Sequence, residues 1–599
     1  MAEKYIIGID MGTTNSAVTY KTIEEDGEIH TLNIPQFVEH GQYEDKVLMP
    51  SFLYIPNEAE ITLDDITLPW QTDTSIIVGE FAKSKAQSTP NRSITSVKSW
   101  LCQPTIDKRK GLLPYQAAEG VEKISPLEAY THFFEHIKNT WNNQFPQAQL
   151  FQQKIVITIP ASFEPAARDL TVEAARLCDF EKVTLLEEPQ ASLYGWIHKH
   201  QDTWRDTLEK EDIILAIDVG GGTTDFSLIQ VEDNNGDLEF KRIAVGNHIL
   251  VGGDNIDLML AYTTQQRLLD QGQHIEHWQL QALVHSCRDA KERLLSDDNL
   301  DEISVIVPGR SSQLFEDALK TTLSREDIQQ IMLEGFFPKV SINDHPKHTT
   351  RAGINRFSLN YTQDPAITRH LAQFLHTQSQ DKKSFVKPKA ILFNGGVFKP
   401  DIIRKQLLET VNDWLSASKT TKNRKTTQVI ELKGADYETS VAYGATIFAD
   451  ALIGHGIKIK GGASHAFYIG IESPMPAIPG FQPPVEALCI ATQGMESGEM
   501  ITYTGETFSL VVGEPVEFKF FAANHRPDDA LGDIIGNWEE AGLIELTPLR
   551  LTLSAANYQN AQHVPVHISA LHTEIGTLEL TAHAIENADQ WKIAFETIR

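Results

Sequence analysis

Cysteine is scarce in this chain. Only Cys102, Cys178, Cys287 and Cys489 occur in 599 residues, with no CxxC pair and no metal-ligand spacing, which argues against a disulfide framework and against a cysteine-based metal site. Long apolar runs are missing too. No stretch approaches the roughly 18 consecutive apolar residues of a membrane span, and Met1-Ala2-Glu3-Lys4 leads into the first strand without a signal-peptide core. The expectation is a cytoplasmic protein with no membrane partner. Positive charge is short as well: 52 lysines and arginines against 81 acids give a net charge of −29, unfavourable for nucleic acid. Phosphate can still be held locally, because backbone N–H dipoles, a lysine and a divalent cation act within a Debye length of about 8–10 Å. At this length, with 41% hydrophobic residues, at least two cores are expected.

Against those absences stands one repeated pattern. The apolar run Ile213-Ile214-Leu215-Ala216-Ile217 ends in Asp218-Val219-Gly220-Gly221-Gly222-Thr223-Thr224-Asp225. A buried strand that runs into glycines leaves its carboxyl end without side-chain cover, so backbone N–H groups can approach an anion. A near copy opens the chain: Ile6-Ile7-Gly8-Ile9-Asp10 followed by Met11-Gly12-Thr13-Thr14-Asn15-Ser16. Each copy places an Asp at a strand end, where it can hold Mg²⁺ or its waters, then glycine, then paired threonines whose hydroxyls can donate to phosphate. Two such loops would clamp a nucleotide tail.

A third stretch has Ile155-Val156-Ile157-Thr158-Ile159-Pro160, a helix around Arg168, and Glu187-Glu188-Pro189-Gln190-Ala191-Ser192-Leu193-Tyr194-Gly195. In this order the three stretches resemble the DnaK-type seventy-kilodalton heat-shock chaperones of the actin-like ATPase superfamily. The resemblance covers roughly the first 455 residues. It implies an α/β fold: an actin-like (ribonuclease H-like) duplicated two-lobe ATPase domain over 1–455, with a small lobe over about 43–124. It also implies ATP/ADP and Mg²⁺ as cofactors. Val78-Gly79-Glu80-Phe81-Ala82-Lys83 resembles the segment that delivers the family's catalytic lysine, making Lys83 the candidate, with Lys98 fitting the same region. Glu188 is assigned an acid/base or metal-water role beside Asp10 and Asp218, with Glu187 as its rival, and Asp10, Asp218 and Asp225 the magnesium shell. Since the residue before proline is biased away from helix, Glu188 is expected in an extended pose.

The resemblance carries the phosphate role to Gly12, Thr13, Thr14, Gly220, Gly221, Gly222, Thr223 and Thr224, and continues into Gly252 and Gly253, which open a long helix. It reaches Lys291 on the helix of the adenosine pocket, and Gly395 and Gly396 in a last nucleotide loop. Departures cluster around the base: Arg288 stands where Glu is usual, Leu295 and Val397 where Ser is usual, and Lys399 where Arg is usual. Apolar positions Leu127, Tyr130, Phe133, Phe134, Ile137 and Trp141 follow the cap-like Ser125-Pro126 at helical spacing. Residues from about 310 to 388 form an insertion, with His345 and His348 read as loop histidines.

Gly454-His455-Gly456-Ile457-Lys458-Ile459-Lys460-Gly461-Gly462 reads as a flexible basic linker over 456–462, unlike the family's leucine-rich docking segment. Beyond it, 463–599 alternates as short strands between Gly and Pro turns, a small all-β, substrate-binding-like domain without room for a helical lid after the last strand. The implied function is a slow ATP hydrolase of chaperone type. It would couple nucleotide to extended apolar peptides or a dedicated client, with a J-domain co-chaperone and an exchange factor as further partners, and no nucleic acid. The rivals are a nucleotide-gated adaptor without turnover and a small-molecule kinase on the same fold.

Overall fold

The computed structural model describes most of residues 3–594, apart from short stretches of which the longest are 310–318, 348–358, 418–427 and 473–483. Two sheets of six strands carry the first three quarters of the chain. In the first, Tyr5–Met11 lies between the antiparallel Asn15–Thr22 and the parallel Lys154–Ile159, which in turn pairs with Val183–Glu187. In the second, Ile213–Val219 lies between the antiparallel Thr224–Asn234 and the parallel Ala390–Asn394. The duplication expected from the loops is thus a duplication of sheets, with Asp10 and Asp218 at matching strand ends. The fold is the actin-like two-lobe α/β arrangement.

Each sheet has its own apolar core. Ile7, Ile9, Phe133, Phe134 and Trp141 belong to the first, and Leu215, Ile217, Leu228, Leu260 and Leu283 to the second. The expected helix after Ser125 is Pro126–Gln144, closed by a capping box: Ser125 Oγ accepts from Glu128 N at 3.0 Å and the Glu128 carboxylate accepts from Ser125 N. Between the lobes the helices Glu188–Lys199 and Ser440–Leu452 cross. The crossing is close because Gly444 has no side chain: a Cβ there would stand 1.7 Å from Ala191 O.

Past the lobes, a five-stranded sheet built around Ala466–Glu472 and Val485–Ala491 and a four-stranded sheet built around Gln562–His572 share one apolar core, with Ile469 and Leu488 from one and Val566 and Leu580 from the other. This is the expected all-β region, packed as a sandwich. The flexible reading of 456–462 needs correction at its middle. Ile459–Lys460 is a strand that pairs in parallel with Asp237–Val245 at the edge of the second sheet. Ile459 is buried there, and its N–H donates to Tyr194 Oη at 2.7 Å. One isoleucine in a hydrophobic slot and a backbone register suffice to dock the segment. Lys458 lies outside the described residues, as does His348.

Candidate functional site

The two strand-end aspartates face one another across a cleft of about 940 Å³. Each is held by the residue directly opposite on its parallel neighbour: Thr158 Oγ1 donates to Asp10 Oδ1 at 2.8 Å, and Asn394 Nδ2 donates to Asp218 Oδ2 at 2.6 Å. The two glycine loops meet between them. A Cβ added to Gly221 would lie 2.1 Å from Thr14 Oγ1, and one on Gly222 would lie 2.4 Å from Ser99 Oγ, so these glycines permit the close approach of loops from different lobes. Gly12, Thr13, Thr14, Gly220, Gly221, Thr223, Gly253, Lys291, Gly395 and Gly396 all line the cleft.

Four expected residues do not reach it. Thr224 spends its hydroxyl on Val251 O at 2.8 Å and is fully buried. Gly222 sits under Thr13 and Ser99, and Gly252 packs on the carbonyls of Gly220 and Gly221; both shape the loops without lining the cleft. Asp225 stands one layer behind, its Oδ1 accepting from the hydroxyl and the backbone N–H of Ser162.

The two candidate lysines sit at different depths of the cleft. Lys83, on the helix Glu80–Ala86, stands at the rim and pairs with Glu292 of the facing lobe at 3.6 Å. Lys98, on the short helix Val97–Leu101, is the buried one, and its Nζ contacts Glu188 Oε1. Burial works against the Lys98 charge, but Glu188, Tyr130 and Asp10 outweigh it and raise its pKa, so it stays a cation. Sequence reasoning noticed Lys98 but preferred Lys83, because both follow turns and nothing local says which one faces Glu188. Glu188 is the first residue of its helix and not extended, because Pro189 falls in the first turn, where a missing N–H costs nothing. Glu187 points away and pairs with Arg168 Nη2 at 2.8 Å and with Arg242, so the two adjacent acids serve opposite faces.

The electrostatics are those of a site short of cations. Burial, then the neighbouring Glu188, pushes Asp10 up to about 6. Burial and Glu188 likewise raise Asp218 well above the usual carboxylate range, and burial raises Asp225 and Glu188. Four buried carboxylates share one buried ammonium, Lys98. A divalent cation fits that deficit. Among the described residues no three acids or histidines stand close enough to hold a bare ion, so the residues present fit magnesium held through its waters and a phosphate, with Asp10, Asp218 and Asp225 behind that shell.

The side of the cleft expected from the sequence to hold adenosine contains an ion-pair cluster. Arg288 is buried, with Nη2 on Asp254 and Nε on Asp257 at 2.7 Å, and Lys291 holds the other Asp257 oxygen at 2.6 Å. Ser96 from the first lobe also donates to Asp254, at 2.7 Å. The mouth above it presents Glu292, Leu295 and Val397, and Lys399 pairs with Glu438.

Comparison with known proteins bears on this arrangement. The sequence profile of the Hsp70 protein family matches residues 68–341. That span contains Lys83, Lys98, Glu188, the second phosphate loop and Lys291, while Asp10 and Gly395 lie outside it. The chain is similar to the chaperone protein DnaK of Psychrobacter cryohalolentis, 27% identical over 271 residues, which is 43% of this chain and 36% of the relative. The match thus spans about a third of that relative's length. With the duplicated lobes and the facing loops, the chain is similar to the Hsp70 protein family over residues 68–341, which is less than half of its length.

Proposed function

We propose that the protein binds magnesium ATP in this cleft and hydrolyses it slowly, as a chaperone-type ATPase. The observation that carries the reading is the convergence of Asp10, Asp218 and the Lys98–Glu188 pair between two mirrored Gly-Thr loops. Thr13, Thr14, Thr223 and the amides of Gly12, Gly220 and Gly221 hold phosphate oxygens. Lys98 orients the attacking water and offsets charge on the γ-phosphate, and Glu188 fixes Lys98 and faces that water. In-line attack then needs little more than positioning and charge compensation. Magnesium, when bound, supplies positive charge to the phosphate oxygens.

In this reading the β region grips an extended apolar peptide or one dedicated client, and the nucleotide state alters that grip through the docked strand Ile459–Lys460. The pairing of this connecting strand with the edge of the second lobe, and the Ile459 N–H bond to Tyr194 Oη, support the coupling. The test is phosphate release by purified protein with magnesium ATP, together with the Lys98→Ala variant. No release by the wild type, with nucleotide still bound, would replace the hydrolase with a nucleotide-gated adaptor.

A further inference from the structure

Asp225 is reached from the far side of the first lobe by a chain of hydrogen bonds. Ser162 lies just past the strand Lys154–Ile159 and donates to Asp225 Oδ1 through its hydroxyl, with its backbone N–H 3.3 Å from the same oxygen. The Ser162 hydroxyl also meets His248 Nδ1 at 2.6 Å. A serine has one hydroxyl proton, and an ionised Asp225 only accepts, so that proton goes to Asp225 and His248 donates from Nδ1 to Ser162 Oγ. The tautomer follows: His248 Nε2 is unprotonated. Burial, with Lys98 second, pushes the His248 pKa down to about 4, in line with a neutral ring.

His248 Nε2 is shut off from solvent and meets no hydrogen-bond partner among the described residues. The ring borders a cavity of about 1260 Å³ between the first lobe and the β region, together with His465 and His572 of the latter. A side chain of the β region ties the loop that carries it. Asn524, buried past the strand Phe520–Ala523, donates to Val245 O at 2.7 Å and to Asn247 Oδ1 at 3.1 Å. From Asn524 to Asp225 the contacts run without a gap.

We propose that Ser162 and His248 are positioning residues for Asp225, and that Asn524 holds His248 in place, so the seating of the β region is felt at the acidic cluster. His248 fixes the direction of the Ser162 hydroxyl, and Ser162 fixes one Asp225 oxygen, so the carboxylate keeps its orientation one layer behind the cleft. The inference rests on the nucleotide-site reading above.

The experiment measures ADP affinity by isothermal titration calorimetry on the full chain over a series of magnesium concentrations, with phosphate release from ATP read separately. Ser162→Ala should raise the magnesium concentration for half-maximal enhancement of ADP binding by about tenfold, the weight of one hydrogen bond to a charged group, and leave magnesium-free ADP affinity unchanged. His248→Leu should shift it the same way, and His248→Asn, whose amide N–H occupies the place of Nδ1–H, should restore it. Asn524→Ala should give a smaller shift of the same sign. Unchanged magnesium dependence in Ser162→Ala, or equal shifts in His248→Leu and His248→Asn, would overturn the relay. If the wild type binds magnesium ADP but releases no phosphate, hydrolysis fails as a reading and the same variants still judge the relay.

Discussion

Lys98 Nζ meets Glu188 Oε1 in the floor of the cleft, ninety residues apart in sequence and buried together. The pair brings a buried ammonium among Asp10, Asp218 and Glu188, the point where charge develops in the proposed hydrolysis. Removing it should remove chemistry before it removes binding. Lys98→Ala is expected to lower turnover by about 10²–10³, the usual weight of one preorganised electrostatic contact, with ADP affinity changed little. Lys83→Ala removes only a rim pair at 3.6 Å and should leave the chemical step within about threefold, a surface pair being worth little. Single-turnover phosphate release decides between them; a silent Lys98→Ala beside an inactive Lys83→Ala would reverse the assignment.

Glu187 and Glu188 offer a sharper contrast, because neighbours in sequence serve unlike purposes. Glu187→Ala strips the shared carboxylate from two buried guanidiniums, Arg168 and Arg242. It should cost about 3–5 kcal/mol of stability. Glu188→Gln keeps the shape of the site and should lose turnover while melting close to wild type. Urea unfolding and phosphate release on the two variants give the answer, and similar stability losses in both would refute the division.

The helix crossing at Gly444 depends on a missing methyl group. A Cβ there would press on the Ala191 carbonyl, a backbone atom with little freedom to yield. Gly444→Ala should lower stability by about 3 kcal/mol, at the upper end of overpacking costs. An unchanged urea midpoint would mean that the helices cross less tightly.

Acid lability should come in part from His136. Its Nε2 pairs with Pro35 O at 2.9 Å, and burial pushes its pKa down to about 4, from an ordinary value of 6.5. A histidine with a depressed folded-state pKa binds its proton more readily when unfolded, so its contribution is complete above about 6.5 and declines as pH falls toward 4. Between pH 7 and pH 5 this group should account for a loss on the order of 1–2 kcal/mol. His136→Gln, which keeps a donor for Pro35, should flatten the fall of melting temperature over that window; an identical slope would exclude His136 as a source.

Base selectivity should be loose. Arg288 is committed to Asp254 and Asp257, Lys399 to Glu438, and Leu295 and Val397 offer a purine edge no hydrogen bond. Competition of GTP against ATP is expected to show a preference of less than about a hundredfold, roughly 2.7 kcal/mol. A stronger preference would show that other groups read the base.

The two glycine loops were legible in the sequence because close backbone approach demands glycine at fixed distances from the strand end, a constraint written into consecutive residues. The capping box at Ser125 was local in the same way. Lys98 was not singled out, since its selection over Lys83 depends on a contact with Glu188 that folding alone supplies. The pose of Glu188 was misjudged because the rule for residues before proline competes with the tolerance of proline in a first helical turn. The relay through Ser162 and His248 left no local signal: a serine after a strand and a histidine in a loop are ordinary until two distant segments meet.

The pairing of Ile459–Lys460 with Asp237–Val245 also caps the second sheet. An uncovered strand end offers a row of free N–H and C=O groups to any extended chain, including a second copy of the same molecule. At Phe240 and Lys241 this two-residue strand occupies that border, so the segment that joins the halves also blocks part of an edge on which an extended chain could pair.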